Sequence, residues 1–158
     1  MLELHYTVGI LTKLRIHKEN VMEEVLELYA DKTEHISEIL KTENNSIWVG
    51  RVKKLNLVGD VVDILPKLDF HEENVMEELL VFYADKTEHI SEILKTENNS
   101  IWIGKVHRLS LKNNAIQLLP KLRIHEDNVM EELWLNAYEV DQITEILKTE
   151  NNSVWVGK

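Results

Sequence analysis

YADKTEHISEILKTENNSIW, residues Tyr29–Trp48, recurs without one change at Tyr83–Trp102. A looser third copy runs through Ala137–Trp155 and keeps QITEILKTENNSVW as its recognisable part. Upstream of each copy lies a second shared block: HKENVMEE from His17, HEENVMEE from His71 and HEDNVMEE from His125. Both offsets between these histidines are 54 residues. Self-similarity at a fixed period marks arrays of stacked units, and this period holds two units of the usual size, roughly 20–50 residues. The identity extends over Lys, Glu and Asn, which core packing does not require; recent duplication or deliberate engineering accounts for it. The chain reads as a single repeat domain with approximate copies 1–54, 55–108 and 109–158.

Inside the period, apolar residues alternate in short stretches. One is Leu55-x-Leu57, echoed by Leu109-x-Leu111 and Leu2-x-Leu4; the other is Leu26-x-Leu28, echoed by Leu80-x-Phe82 and Leu133-x-Leu135. A spacing of two puts both side chains on one face of a strand. The steps from Leu2 to Leu26, Leu55, Leu80, Leu109 and Leu133 are 24, 29, 25, 29 and 24 residues. Two alternating units therefore make up each repeat.

Leu109–Leu122 reads LSLKNNAIQLLPKL, which resembles the leucine-rich repeat pattern LxLxxNxIxxLPxL at Leu109, Leu111, Asn114, Ile116, Leu119, Pro120 and Leu122. The longer unit resembles the ribonuclease-inhibitor type, in which a convex helix follows the strand. Its helix is expected at Thr87–Thr96, with Ile90, Ile93 and Leu94 at helical spacing and Asn98-Asn99 as the stop. The resemblance implies an α/β solenoid of about six strands with convex helices, spanning nearly the whole chain. Where the family carries its turn asparagine, this chain has Thr7, Asp31, Asp60, Asp85, Asn114 and Tyr138, so only one unit is a clean match. A second reading makes Asn74–Tyr83 helical, with Val75, Leu79 and Phe82 on one side. The array would then be an α-rich solenoid or a closed threefold α+β fold.

In a leucine-rich array the residues between the inward leucines point out from the concave face. Here they differ between copies while the helix tract stays nearly constant; either the inner face is diversified to bind a partner, or these positions have drifted without constraint since duplication. The candidates are Glu27, Tyr29, Val81, Tyr83, Arg108, Lys112, Trp134 and Asn136, with Tyr83 and Trp134 as anchors. Buried interface aromatics commonly supply about 2 kcal/mol or more each. The partner expected is a protein. A structural role is the alternative, in which exposed Leu2, Leu4, Trp155 and Val156 at the repeat ends drive homo-oligomer formation.

Composition narrows the field. The chain has 158 residues, 18 Lys+Arg against 28 Asp+Glu, and a formal charge of −10, which disfavours nucleic acid because phosphate binding needs a basic footprint. With no cysteine there is no disulfide frame and no thiolate metal site. Apolar runs such as Leu79–Ala84 fall far short of the ~20 residues a membrane span needs, and MLELHYTVG lacks the look of a signal peptide. A cytoplasmic protein without membrane contact is expected. There is no phosphate-cradling glycine loop, no GxSxG and no HExxH, so no enzyme, cofactor or metal is expected. His17, His71 and His125 read as solvated turn histidines rather than metal ligands. Trp48, Trp102 and Trp155 read as core packing between units, and Gly50, Gly104 and Gly157 as bends before the next strand.

Overall fold

The computed structural model describes residues 1–158 and is α/β, built on a parallel sheet of seven strands. Ten strands form in all: β1 (Leu2–His5), β2 (Val21–Met22), β3 (Leu26–Ala30), β4 (Ile47–Val52), β5 (Lys54–Gly59), β6 (Leu68–Phe70), β7 (Val75–Phe82), β8 (Ile101–Lys112), β9 (Leu122–Ile124) and β10 (Glu132–Asn136). The main sheet runs β1-β3-β5-β7-β8-β10, with β9 alongside the first half of β8. Strand order follows chain order, and every pairing is parallel. The sheet is open, because β1 and β10 lie at opposite edges.

Leu2, Leu26, Leu55, Leu79, Leu109 and Leu133 form one ladder across it, and Leu4, Leu28, Leu57, Val81, Leu111 and Leu135 form another. From Leu26 to Leu109 and from Leu4 to Leu111 these rungs are buried in the core, where each buried leucine contributes about 2 kcal/mol, whereas Leu133 and Leu135 on β10 are exposed. A single cluster of 37 buried apolar residues extends from Leu4 to Ile124, so the outermost residues of the third copy lie beyond it.

A smaller second sheet, β2-β4-β6, is separate from the first, and the first half of β8 pairs with β9 in the same parallel manner as β4 with β6. The chain turns from one sheet to the other at Lys53 between β4 and β5, and near His107 within β8. Asn74 fastens this corner. Its Oδ1 accepts from the Val52 amide at 2.8 Å and its Nδ2 donates to the Ile103 carbonyl at 3.3 Å. Asn128 does the same for Val106 and Val156. These two buried side chains satisfy backbone groups that the curved ladder leaves without partners. The chain approaches them so closely that a Cβ on Gly104 would stand 2.4 Å from the Asn74 carbonyl oxygen. The expected bends at Gly50 and Gly104 coincide with register shifts between Trp48 and Gly50 and between Trp102 and Gly104.

The helical segments are short. A 3₁₀ turn at Thr87–Ile90 leads into one α-helical turn, Ser91–Leu94, and buries Ile90 and Ile93. Equivalent turns stand at Ser37–Leu40 and Thr144–Leu147. Asn45, Asn99 and Asn152 end the tract in the left-handed region, which Asn tolerates better than most side chains. Asn74–Tyr83 is not helical; its core is β7.

The second long strand corrects the expected register. At an offset of 54, Leu26 and Leu28 correspond to Leu80 and Phe82. In space their counterparts are Leu79 and Val81, which are 0% and 1% exposed and pair with Leu55 and Leu57. Val81 is therefore core and not part of a binding face, while Leu80 and Phe82 lie on the other side of the strand. The run LLVFY is apolar throughout, so it carries no alternation to fix a register, and a slip of one residue exchanges the faces. The odd residue is accommodated differently in each copy. In the first, Val25 is an extra residue between the bend at Glu23–Glu24 and Leu26; in the second, Tyr83 adopts φ 59° between Val81 and Ala84. The third copy is one residue shorter here, with Leu135 and Ala137 two apart.

Candidate functional site

Between the two leucine ladders runs the row Glu3, Glu27, Asn56, Leu80, Ser110, Trp134. The row changes character from end to end. On the β1 side, Glu27 accepts from Asn56 Nδ2 at 3.1 Å and faces His5 Nε2 at 3.0 Å. The Asn56 hydrogen bond, with His5 second, holds its carboxyl below the usual range. Tyr29 packs edge-on to Tyr6 at 5.0 Å, and the Tyr6 hydroxyl together with burial pushes Tyr29 up to about 12. At this end Glu27, Asn56 and His5 are partnered with one another.

On the β10 side the face is open. A pocket of about 640 Å³ is lined by Leu80, Phe82, Tyr83, Trp134 and Tyr138, by Arg108 and Lys112, and by Glu78, Asp85 and Glu132. Lys112 Nζ stands 5.0 Å from the Trp134 ring centroid, a cation–π contact. Phe82 and Tyr83 meet at 5.4 Å with their planes inclined by 63°. Arg108 lies between Glu78 and Glu132 in the strand register. Asn113 Nδ2 donates to Asp85 and ties down the strand end beside Tyr83.

Four of the eight expected residues thus converge: Tyr83, Arg108, Lys112 and Trp134. Asn136 pairs with Lys112 in register but does not line the pocket. Glu27 and Tyr29 lie two strands further along, on β3, and take no part in it. Val81 is in the core. Leu80, Phe82 and Tyr138 were not expected in the pocket. The first two were hidden by the one-residue slip, and Tyr138 had no periodic signal because the third copy loses its match there.

No known protein family, curated protein or solved structure matches the chain. The reading of this site rests on its own geometry.

Two further expectations concern the repeated side chains. His17, His71 and His125 each accept a hydrogen bond at Nδ1 from the backbone amide two residues on, at 3.2, 3.1 and 3.0 Å. They are turn residues with a fixed job, and no group of three or more His, Asp or Glu side chains is placed to hold a metal ion. Trp48 and Trp102 are not core. Their neighbours Ile47, Val49, Ile101 and Ile103 point inward and are buried, while the indoles stay half-buried on the outer side of the second sheet. No helix is long and apolar enough to cross a membrane.

Proposed function

We propose that the chain is a leucine-rich-repeat-type solenoid acting as a non-catalytic protein-recognition module. Its partner, a protein segment, docks on the outward side of the main sheet. The convergence of aromatic rings and two cations in one open pocket on adjacent strands carries this reading. An apolar or aromatic side chain of the partner fits between Phe82 and Trp134, with a neighbouring carboxylate reaching Arg108 and Lys112. Because Arg108, Lys112 and Trp134 stand on hydrogen-bonded strands, little backbone ordering remains to be done on binding.

Selection from a displayed random-peptide library on the immobilised chain tests this. Enriched peptides should pair an acidic residue with a bulky apolar one. They should lose at least about tenfold in affinity when Trp134→Ala and Tyr83→Ala are combined. The variant should keep the parent circular dichroism. Peptides that bind both proteins equally would sink the proposal, as would a selection without enrichment.

One observation favours self-association as a second reading. Leu133 and Leu135 are 38% and 39% exposed, whereas the same positions on β7 and β8 are nearly fully buried. An unpaired edge with apolar rungs suits a second copy of the chain.

A further inference from the structure

Exposed apolar side chains are concentrated on two faces of the stack. Of the fourteen large ones, four lie between Met1 and Leu14 and eight between Val129 and Trp155. On the face beyond β1, Ile10 and Leu14 are 45% and 41% exposed; on the face beyond β10, Leu133 and Leu135 are joined by Val140 and Leu147. The two faces carry opposite charge. Residues 1–18 hold three bases and one acid, whereas residues 125–158 hold two bases and eight acids, formal charges of +2 and −6 with His neutral.

What each face lacks is visible inside the molecule, where a longer unit is twice covered by the shorter unit that follows it. There the strands pair Leu26 with Leu55 and Leu79 with Leu109. At both places a lysine of the shorter unit donates to a threonine carbonyl of the longer one, Lys67 to Thr42 at 2.8 Å and Lys121 to Thr96 at 2.9 Å. The Asn45 and Asn99 amides donate to the Pro66 and Pro120 carbonyls at 3.0 and 2.9 Å. At the second place Arg123 pairs in register with Trp102, and its guanidinium sits 5.0 Å from the indole ring.

Each of these groups has a counterpart on one of the two open faces. Lys13 and Arg15 stand two repeats before Lys121 and Arg123. Both are exposed and enter no ion pair, although other charged side chains form many. Thr149, Asn152 and Trp155 stand 53 residues after Thr96, Asn99 and Trp102. Within the chain the Thr149 carbonyl accepts no hydrogen bond, the Asn152 amide donates none, and Trp155 is 48% exposed.

We propose that, with self-association as the role, copies of this chain stack in one direction, the unit of β1 in one copy covering the unit of β10 in the next. The incoming β1 extends the main sheet in parallel, with Leu2 beside Leu133 and Leu4 beside Leu135. Lys13 of one copy reaches the Thr149 carbonyl of the next, the Asn152 amide reaches the Thr12 carbonyl, and Arg15 lies over Trp155. The contact between copies thus repeats the contact inside each copy, and it buries apolar rungs that a single copy leaves in water. Charge fixes the direction. Two β10 faces would set −6 against −6, whereas the β1 face brings +2; like-charge juxtaposition suppresses the wrong pairing. Because the two faces differ, every contact leaves one of each kind free, and assembly continues beyond two copies.

The test is light scattering on the parent, on two variants and on their mixture, up to millimolar concentration. Leu133→Lys with Leu135→Lys blocks the β10 face; Lys13→Glu with Arg15→Glu blocks the β1 face. All four side chains are exposed, so both variants should keep the parent circular dichroism. The parent should form a ladder of masses. Each variant alone should associate at least about tenfold more weakly. Their equimolar mixture should form complexes of two and no larger, because only one good β1 face and one good β10 face meet. A mixture that stays monomeric overturns the proposal, as does a Lys13→Glu, Arg15→Glu variant that associates like the parent. A parent that stops at two copies means β10 against β10, which removes the directional stack and keeps self-association. A parent that is monomeric throughout removes both.

Discussion

Asp63 and Gln117 occupy the same repeat position and meet the same neighbour by different chemistry. Asp63 is buried and accepts from the Ser91 hydroxyl and from the amides of Glu92 and Ile93, which opens the helical turn of the adjacent unit. Gln117 accepts the Thr144 hydroxyl at 3.1 Å. The difference is charge. Burial outweighs the three hydrogen bonds and pushes the Asp63 carboxyl from 3.8 up to about 6. Between those values the folded chain holds a proton that the unfolded chain has released, so stability falls as pH rises through that window. The whole span is worth roughly 3 kcal/mol. Asp63→Asn keeps an oxygen for the amides and removes the charge. Urea melts from pH 4 to 7 should show the parent losing stability and the variant staying nearly level; parallel curves would mean that Asp63 is not the group responsible.

At the scale of the strand, β7 decides which side of the sheet each residue joins. Leu79→Asp places an unpaired carboxylate in the core and should abolish cooperative melting, since such burial costs more than about 4 kcal/mol. Leu80→Asp, one residue on, should cost no more than about 1 kcal/mol, because that side chain is only partly covered. The opposite ranking would restore the register expected from the 54-residue offset. Alternation at Leu55-x-Leu57 and Leu109-x-Leu111 made those strands legible from sequence, and the recurrence of HxxN blocks carried the corner asparagines without revealing their role. LLVFY was illegible for a physical reason: both registers bury apolar side chains, and the one adopted puts buried Met76 three residues ahead of Leu79, where Met22 stands four ahead of Leu26. The outward face inherits that ambiguity. Tyr83, Arg108, Lys112 and Trp134 were found, while Leu80 and Phe82 were assigned to the wrong side. On the second sheet the strand pattern Leu68-x-Phe70 and Leu122-x-Ile124 was present in sequence, but each stretch is only three residues long and gives a weak period.

Across the molecule as a whole, the strands of the main sheet pair in the order in which they occur along the chain, β1-β3-β5-β7-β8-β10. In the unit that holds β10, Leu147 and Trp155 are exposed along with the rungs of that strand. Light scattering over a wide concentration range should show mass rising with concentration for the parent and a constant monomer for Leu133→Lys combined with Leu135→Lys. A parent that remains monomeric throughout would remove self-association as a role and leave the two outward faces to account for the design of the surface. The same stacking order governs how the protein bears load. Tension applied to the two termini reaches one edge strand at a time, since no long-range crossover ties the first unit to the last. Extension would then proceed in discrete steps, each releasing about 80–100 Å of chain, and the molecule would behave as a ratcheted tether rather than as a single breaking link.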